Sequence, residues 1–282
     1  MLYDLHSHSS ASDGILSPAA LVSRASANNV SVLALTDHDT VAGIHEARAQ
    51  AERENLQLIA GIEFSSQWQG RSIHIVGLDI DPDSAALQGA VAQQAAVRTR
   101  RAERIAAKLE RLGFAGALAA AQGFAGDAVI GRPHFARFLV EAGHVKNTEQ
   151  AFKKYLGAGK AGDIKQDWPD FEQVIAWIHQ AGGLAVLAHP CKYKMTRSKL
   201  CAMVQAFADL GGDALEVVSG PQSPNQTRDM LGIAVKFGLK VSCGSDFHQP
   251  GQVWQELGKF ASLPEDVDGI WQNFRANRIG VL

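Results

Sequence analysis

The sequence predicts an α/β fold, an incomplete (β/α) barrel of about seven strand-plus-helix units. Three observations predict it. Short apolar runs of strand length alternate with amphipathic stretches of helix length. Polar turns rich in Ser, Asp and Gly follow the apolar runs. Long Ala- and Arg-rich helix interrupts the rhythm once. Alternation of this kind predicts parallel strands with helices outside, and a doubly wound open sheet shares it. With 282 residues, 46% of them hydrophobic, the chain can bury one large core, or a core with a smaller satellite.

The first strand is the apolar start Met1-Leu2-Tyr3, which leads into Asp4-Leu5-His6-Ser7-His8. Ser17-Pro18 reads as an N-cap followed by proline in the first turn of a helix running to Asn28. Val32 to Leu35 is a buried strand ending at Thr36-Asp37-His38-Asp39-Thr40, and a helix follows from Val41 to Glu54. Gln57 to Phe64 is the third strand, with Glu63 near its end, and Ser72 to Leu78 the next, with His74 inside it. After Asp81-Pro82-Asp83 the pattern turns helical until Lys165, which suggests an inserted helical domain. Its longest helix, Leu87 to Leu112, carries Ala102, Ile105, Leu109 and Leu112 on one stripe and Arg98, Arg101, Arg104, Lys108 and Arg111 on another. The α/β rhythm then resumes: helix Asp170 to Gln180, strand Leu184 to Ala188, helix Thr196 to Leu210, strand Ala214 to Val218, helix Ser223 to Phe237. Strand Leu239 to Cys243 comes last and runs into Gly244-Ser245-Asp246-Phe247-His248.

Strand alternation projects His6 and His8 from one face, and a Ser/Asp/Gly turn can fold Asp13 back toward them. A lone H-x-H is equally well explained as two polar residues at a strand end. The wider pattern decides the matter: His6, His8, Asp13, His38, Glu63, His189, Asp246 and His248 all fall at or beyond predicted strand C-terminal ends. In parallel α/β folds those ends form one rim. With His74 the set numbers nine side chains, too many for one ion and suited to two or three. Imidazoles and carboxylates without thiolate suit Mn²⁺, Fe²⁺ or Zn²⁺ better than Mg²⁺ or Ca²⁺. Asp37 and Asp39 flank His38 and are expected to orient histidines. His45, His144 and His179 fall in predicted helices away from the rim.

Balanced charge, 27 Lys+Arg against 29 Asp+Glu, argues against a protein that coats nucleic acid electrostatically. Cys191, Cys201 and Cys243 form no C-x-x-C pair, which excludes a disulfide framework or a zinc knuckle. No basic segment followed by an apolar run opens the chain, and no stretch reaches the apolar length of a membrane span, so a cytoplasmic location is expected.

His6-Ser7-His8 with Asp13, Thr36-Asp37-His38-Asp39-Thr40, Gly61-Ile62-Glu63-Phe64-Ser65, Ala188-His189-Pro190 and Gly244-Ser245-Asp246-Phe247-His248 together resemble the PHP (polymerase and histidinol phosphatase) metallo-phosphoesterases. The likeness runs from the first strand to the last, in the family's order. It is nearest to the branch of 3′,5′-nucleotide bisphosphate phosphatases and 5′-to-3′ exoribonucleases, through the helical insertion, Ile73-His74-Ile75-Val76-Gly77 and Arg132-Pro133-His134.

The resemblance implies a distorted seven-stranded (β/α)7 barrel from residues 1–82 and 166–282, with 83–165 as a helical insertion covering the active site. It also implies a trinuclear centre, usually Mn²⁺. One ion would take His6, His8, Glu63 and Asp246, a second Asp13, His38 and His248, and Glu63 would bridge to a third held by His74 and His189. Thr99, Arg100, Arg101, Ala102, Arg132 and His134 are the implied substrate contacts. His134, His248 and Asp13 are the implied catalytic residues, with His134 protonating the leaving oxygen.

The expected activity is a phosphoric monoester hydrolase that removes the 3′-phosphate from nucleoside 3′,5′-bisphosphates such as pAp, leaving the 5′-monophosphate. Its expected partner is a small nucleotide, with no membrane or protein partner implied. The alternative is 5′-to-3′ exoribonuclease action on short 5′-phosphorylated RNA. A metal-dependent amidohydrolase and a noncatalytic PHP module rank lower, the first because of the phosphate-binding candidates, the second because no ligand position is missing.

Overall fold

Seven strands form one sheet in sequence order: β1 (Tyr3–Asp4), β2 (Val32–Leu35), β3 (Gln57–Trp68), β4 (Arg71–Leu78), β5 (Leu184–Leu187), β6 (Ala214–Ser219) and β7 (Lys240–Gly244). The computed structural model describes residues 1–157, 159–164, 168–252, 255–264 and 266–275. The ends of the sheet meet: the Leu5 N–H donates to Cys243 O at 3.0 Å and the His8 N–H to Phe247 O at 2.9 Å. The sheet therefore closes into a barrel.

Parallel pairing was expected throughout, and the structure corrects this at one strand. β1, β2 and β3 pair in parallel, as do β5, β6 and β7, but β4 runs antiparallel to both β3 and β5. The reason is the turn Gln69-Gly70, with φ of 48° and 71°, the geometry that folds a strand back beside itself. So short a connection cannot make the crossover that a parallel pair needs. The same hairpin carries β3 beyond the expected end at Phe64, because Ser65 to Trp68 pair with His74 to Arg71.

Alternate residues point into the barrel. Val32 and Ala34, Ile59, Val76 and Leu78, Val186 and Ala214 form an inner cluster closed by Ile270 and Phe274. On the same faces, Glu63 is four residues beyond Ile59 and Glu216 two beyond Ala214. His74 precedes Val76, yet because β4 is reversed it lies at the same barrel end.

Helices α1 (Pro18–Ala27), α2 (Ile44–Glu54), α7 (Phe171–Gln180), α8 (Arg197–Asp209) and α9 (Pro224–Lys236) flank the barrel. Their apolar faces join Leu33, Leu35, Ile62, Phe64, Ile75 and Val217 in the outer core. The Ser17 side chain accepts from the Ala20 N–H, the cap expected of Ser17-Pro18. α2 begins at Ile44, three residues later than the periodicity suggests.

Between β4 and β5 lie α3 (Ala85–Arg111), α4 (Ala117–Ala125), α5 (Arg132–Glu141) and α6 (Thr148–Ala151). The first half of α3 packs Leu87 and Ala90 on the outer core, and its second half packs Ala102, Ile105 and Leu109 with Phe135 and Leu139 of α5 in a separate core. The expected boundary between residues 165 and 166 lies outside the described residues. Among the described residues no helix is long and apolar enough to cross a membrane.

Candidate metal centre and anion pocket

All nine sequence-derived metal candidates converge at one end of the barrel. His6 and His8 follow β1, Asp13 comes from the turn beyond them, His38 follows β2, Glu63 and His74 project from β3 and β4, His189 follows β5, and Asp246 and His248 follow β7. Asp39, His189 and Asp246 hold φ of 53°, 31° and 52°, a left-handed backbone that non-glycine residues rarely adopt. Three such residues on one rim mark loops held in place by their surroundings.

The donors form overlapping sets, with His6, Glu63 and His189 in one, His6, His8 and Asp246 in another, His38, Glu63 and His74 in a third, and His8, Asp13, His38 and His248 in a fourth. His6 Nε2 and His8 Nε2 lie 3.3 and 3.2 Å from Glu63 Oε2, and 3.5 and 3.3 Å from Asp246 Oδ1. Donors on a tetrahedral ion with bonds of about 2.1 Å stand about 3.4 Å apart, the spacing of these pairs, and His6, His8 and Asp246 offer ligand atoms mutually within 4.8 Å. Asp13 is 3.3 Å from His248 Nε2 through Oδ1 and 3.7 Å from His38 Nε2 through Oδ2, a second candidate group. Glu63 Oε1 is 2.8 Å from His74 Nδ1 and 2.9 Å from His189 Nε2, a third. Glu63 thus presents one oxygen to each of two groups.

Burial tests whether ions fit. His6 Nε2, His8 Nε2, His38 Nδ1, Asp13 Oδ1 and Glu63 Oε2 are buried without a hydrogen-bond partner. Unpaired buried polar atoms are costly, and here they face one another. Cations among them would satisfy all five at once. The protonation pattern agrees. Burial opposes the charge, yet Asp246 and Glu63 raise His8 to about 10, while Glu216, Glu63 and Asp246 raise His6 well above the ordinary imidazole value. Burial likewise opposes ionisation of Asp13 and Glu63, yet His248 and His38 hold Asp13, and His38, His74 and His6 hold Glu63, well below the carboxylate range. Protons on His6 and His8 stand where metal cations would displace them.

The orienting groups differ from those expected. Asp37 orients serines: its carboxylate accepts from the Ser9 N–H, Ser9 Oγ and Ser12 Oγ, stapling the turn that leads to Asp13. Asp39 accepts from the Ser65 N–H, Gln94 Nε2 and Arg98 Nε, at 2.7, 2.9 and 2.6 Å, tying α3 to the rim. Neither touches a histidine ring. Glu216 does: His6 Nδ1 donates to it at 2.9 Å. Lys192 pairs with the second oxygen of Asp246. Sequence reasoning missed Glu216, Lys192 and Arg98. Glu216 alone left a signal, a carboxylate inside the apolar strand Leu215-Glu216-Val217-Val218.

Beside the cluster a cavity is lined by Asp13, His38 and His74 on the barrel side and by Arg98, Arg101 and Arg132 on the insertion side. Arg98 is neutralised by Asp39. Burial, with the charges of Arg132 and Arg98, lowers Arg101 to about 9, and its Nε has no partner. A guanidinium keeps its proton at neutral pH, so this charge, only partly offset by Asp163 and Asp39, suits a bound anion. Burial also lowers Arg132, whose Nη1 donates to Leu156 O at 3.3 Å.

Of the four consecutive substrate candidates only Arg101 lines the cavity. Thr99 and Arg100 are exposed, Thr99 donating to Ala95 O, and Ala102 is in the insertion core. His134 caps α5, with Nδ1 accepting the Gly131 N–H at 3.0 Å, and unlike its neighbours Arg132 and Pro133 it does not line the cavity. Away from the rim, His45 faces Asp83 at 3.4 Å and His179 pairs with Asp213 at 2.8 Å. His144 sits in the turn after α5 against Phe114 and Phe138, not in a helix as expected.

Residues 4–184 match the PHP domain. The 5′-3′ exoribonuclease Rnm of Escherichia coli is 46% identical over 96% of this chain and 93% of its own length. The 3′,5′-nucleoside bisphosphate phosphatase of Chromobacterium violaceum is 39% identical over 97% and 96%. Among solved structures, one from Chromobacterium violaceum described as an amidohydrolase superposes with a TM-score of 0.91 at 39% identity, covering 98% of this chain and 97% of that one. A Bifidobacterium adolescentis protein described as a metal-dependent phosphoesterase gives 0.79 at 30%, over 96% and 93%. With a seven-stranded barrel, its metal-type side chains gathered on one rim and these relatives spanning nearly its full length, the chain belongs to the PHP domain family and is a phosphoesterase of the metal-dependent kind.

Proposed function

We propose that the protein cleaves the phosphoester on the 3′ side of a 5′-phosphorylated nucleotide, with a nucleoside 3′,5′-bisphosphate such as pAp as its minimal substrate. One observation carries this reading: a single cavity has metal-type ligands on one wall and Arg101 and Arg132 on the other. A substrate with two phosphates can engage both walls, and a simple monoester only one. Bidentate guanidinium contacts suit the 5′-phosphate.

In this reading the ions, Mn²⁺ by family likeness, supply positive charge against the phosphoryl oxygens and a water of lowered pKa. His6, His8, Glu63 and Asp246 would hold one ion, Asp13, His38 and His248 a second, and His74 and His189 with Glu63 a third. Arg101 and Arg132 hold the 5′-phosphate. The P–O bond to the 3′-oxygen breaks as a water oxygen bonds to phosphorus, and the proton released by that water ends on the leaving oxygen, which His134 Nε2–H, its other nitrogen spent on the helix cap, stabilises by a hydrogen bond. The products are the 5′-monophosphate and inorganic phosphate.

Short 5′-phosphorylated RNA is the second reading, and relatives favour it: exoribonucleases of Haemophilus influenzae, Escherichia coli and Salmonella typhimurium are 45 to 46% identical to this chain. The bond cleaved is the same, with the rest of the RNA in place of a phosphate proton. Phosphate release from pAp, AMP and histidinol phosphate with Mn²⁺ tests the first reading. Cleavage of a labelled RNA pentamer with and without its 5′-phosphate tests the second. pAp is expected to exceed the two monoesters by about tenfold or more, the effect of one charge-assisted contact. Comparable rates on all three remove the 5′-phosphate anchor.

A further inference from the structure

Glu216 is 2% exposed on the inward face of β6. Both of its oxygens are used. Oε1 accepts from His6 Nδ1 at 2.9 Å, and Oε2 accepts the backbone N–H of His189. Because Glu216 claims the Nδ1 proton, His6 would meet a cation through Nε2, which faces Glu63 Oε2 and Asp246 Oδ1 at 3.3 and 3.5 Å. The hold on the His189 N–H fixes a left-handed residue, φ 31°, whose ring reaches the other Glu63 oxygen at 2.9 Å. Glu63 gives one oxygen to each of these two rings, and Glu216 ties them together from behind.

We propose that Glu216 is a positioning residue that couples two metal subsites, the one served by His6 and the one served by His189, so that their affinities rise and fall together. The inference rests on the metal-centre reading and not on the choice of substrate. It also explains why the residue is Glu. Glutamine has one acceptor oxygen, so its NH₂ would confront either the His6 Nδ1–H or the His189 N–H.

Asp213 offers a matched control. Its Oδ2 also accepts from one imidazole and one backbone N–H, His179 Nε2 and Ala185 N, both at 2.8 Å, but it precedes β6, at the end away from the rim. The experiment is Mn²⁺ titration of the full-length chain, followed by equilibrium dialysis, for wild type, Glu216→Gln and Asp213→Asn. Loss of an outer carboxylate weakens metal binding by about 10–100-fold. That loss is expected in Glu216→Gln at two sites in parallel, while the site of Asp13, His38 and His248 and all sites of Asp213→Asn keep wild-type affinity. Wild-type affinity in folded Glu216→Gln, or an equal loss in Asp213→Asn, overturns the proposal.

Should Glu216→Gln not fold, nitrogen NMR of Zn²⁺-loaded wild type decides: a proton on His6 Nδ1 is expected, and a proton on Nε2 refutes the tautomer on which the coupling depends. Because no substrate enters either measurement, a failure to hydrolyse pAp would overturn the functional reading alone.

Discussion

Glu63 faces five imidazoles, with His6, His8 and His38 near Oε2 and His74 and His189 near Oε1. Only a carboxylate on a side chain this long can serve both sides of the cluster from a single strand position. Arg101 has the opposite sign, a buried charge that Arg132 and Arg98 repel and Asp163 and Asp39 offset only in part. It should therefore bind substrate without doing chemistry. Arg101→Ala is expected to raise KM for pAp by about 10–100-fold, the loss of a charge-assisted contact of about 1.5–3 kcal/mol, with kcat kept within about threefold. Steady-state kinetics check this, and a fall in kcat at constant KM would contradict the assignment. The nine ligand candidates were legible because each falls at a strand end or on a predicted strand. Arg98 was not, since a buried arginine and a solvated one look alike on a helix until Asp39 is seen beneath it. Asp37 was misjudged for a related reason: adjacency to His38 says nothing about which way a carboxylate turns.

At the scale of elements, periodicity located every strand, but strand direction depends on connection length, and Gln69-Gly70 lies between two apolar runs that each look like any other. The reversal of β4 matters to the site because it brings His74 to the rim from within a strand. The packing of β7 against the chain beyond β1 matters as much. A Cβ on Gly244 would stand 2.4 Å from His6 Cβ and 2.6 Å from His6 N, so only glycine lets the strand approach the first candidate imidazole ligand. Gly244→Ala is expected to cost about 1–3 kcal/mol, as overpacking does, and to weaken Mn²⁺ binding through His6. Urea unfolding and metal titration measure the two effects, and lost stability with unchanged metal affinity would detach Gly244 from the site. We propose that residues 83–165 are a separately cored insertion, because α3 is shared between two hydrophobic clusters and α4 and α5 belong to the second alone.

At the scale of the molecule, the rim concentrates buried ionisable groups that cost stability when they lack cations. Ions that bind the folded chain stabilise it by mass action, about 2.7 kcal/mol at a hundred times Kd. For a chain of this size roughly 2–4 °C accompanies each kcal/mol, so Mn²⁺ should raise Tm by about 5–10 °C, reversed by EDTA. Scanning calorimetry checks this, and an unmoved Tm would speak against a metal centre. The composition and rhythm pointed to a barrel or an open sheet alike. Closure separates the two, and it depends on pairing between chain ends that no local pattern reports.

The seam between β1 and β7 has a further consequence. Asp4 accepts the Ser245 N–H at 2.8 Å from 241 positions further along the chain, and the histidines just beyond it await an aspartate from the same late segment. During synthesis, then, the early histidines and the late aspartate can meet only after β7 has been made. A nascent or prematurely terminated product that stops short of β7 lacks Asp246 and His248, and is expected to leave the remaining donors of the candidate metal centre unable to hold their ions.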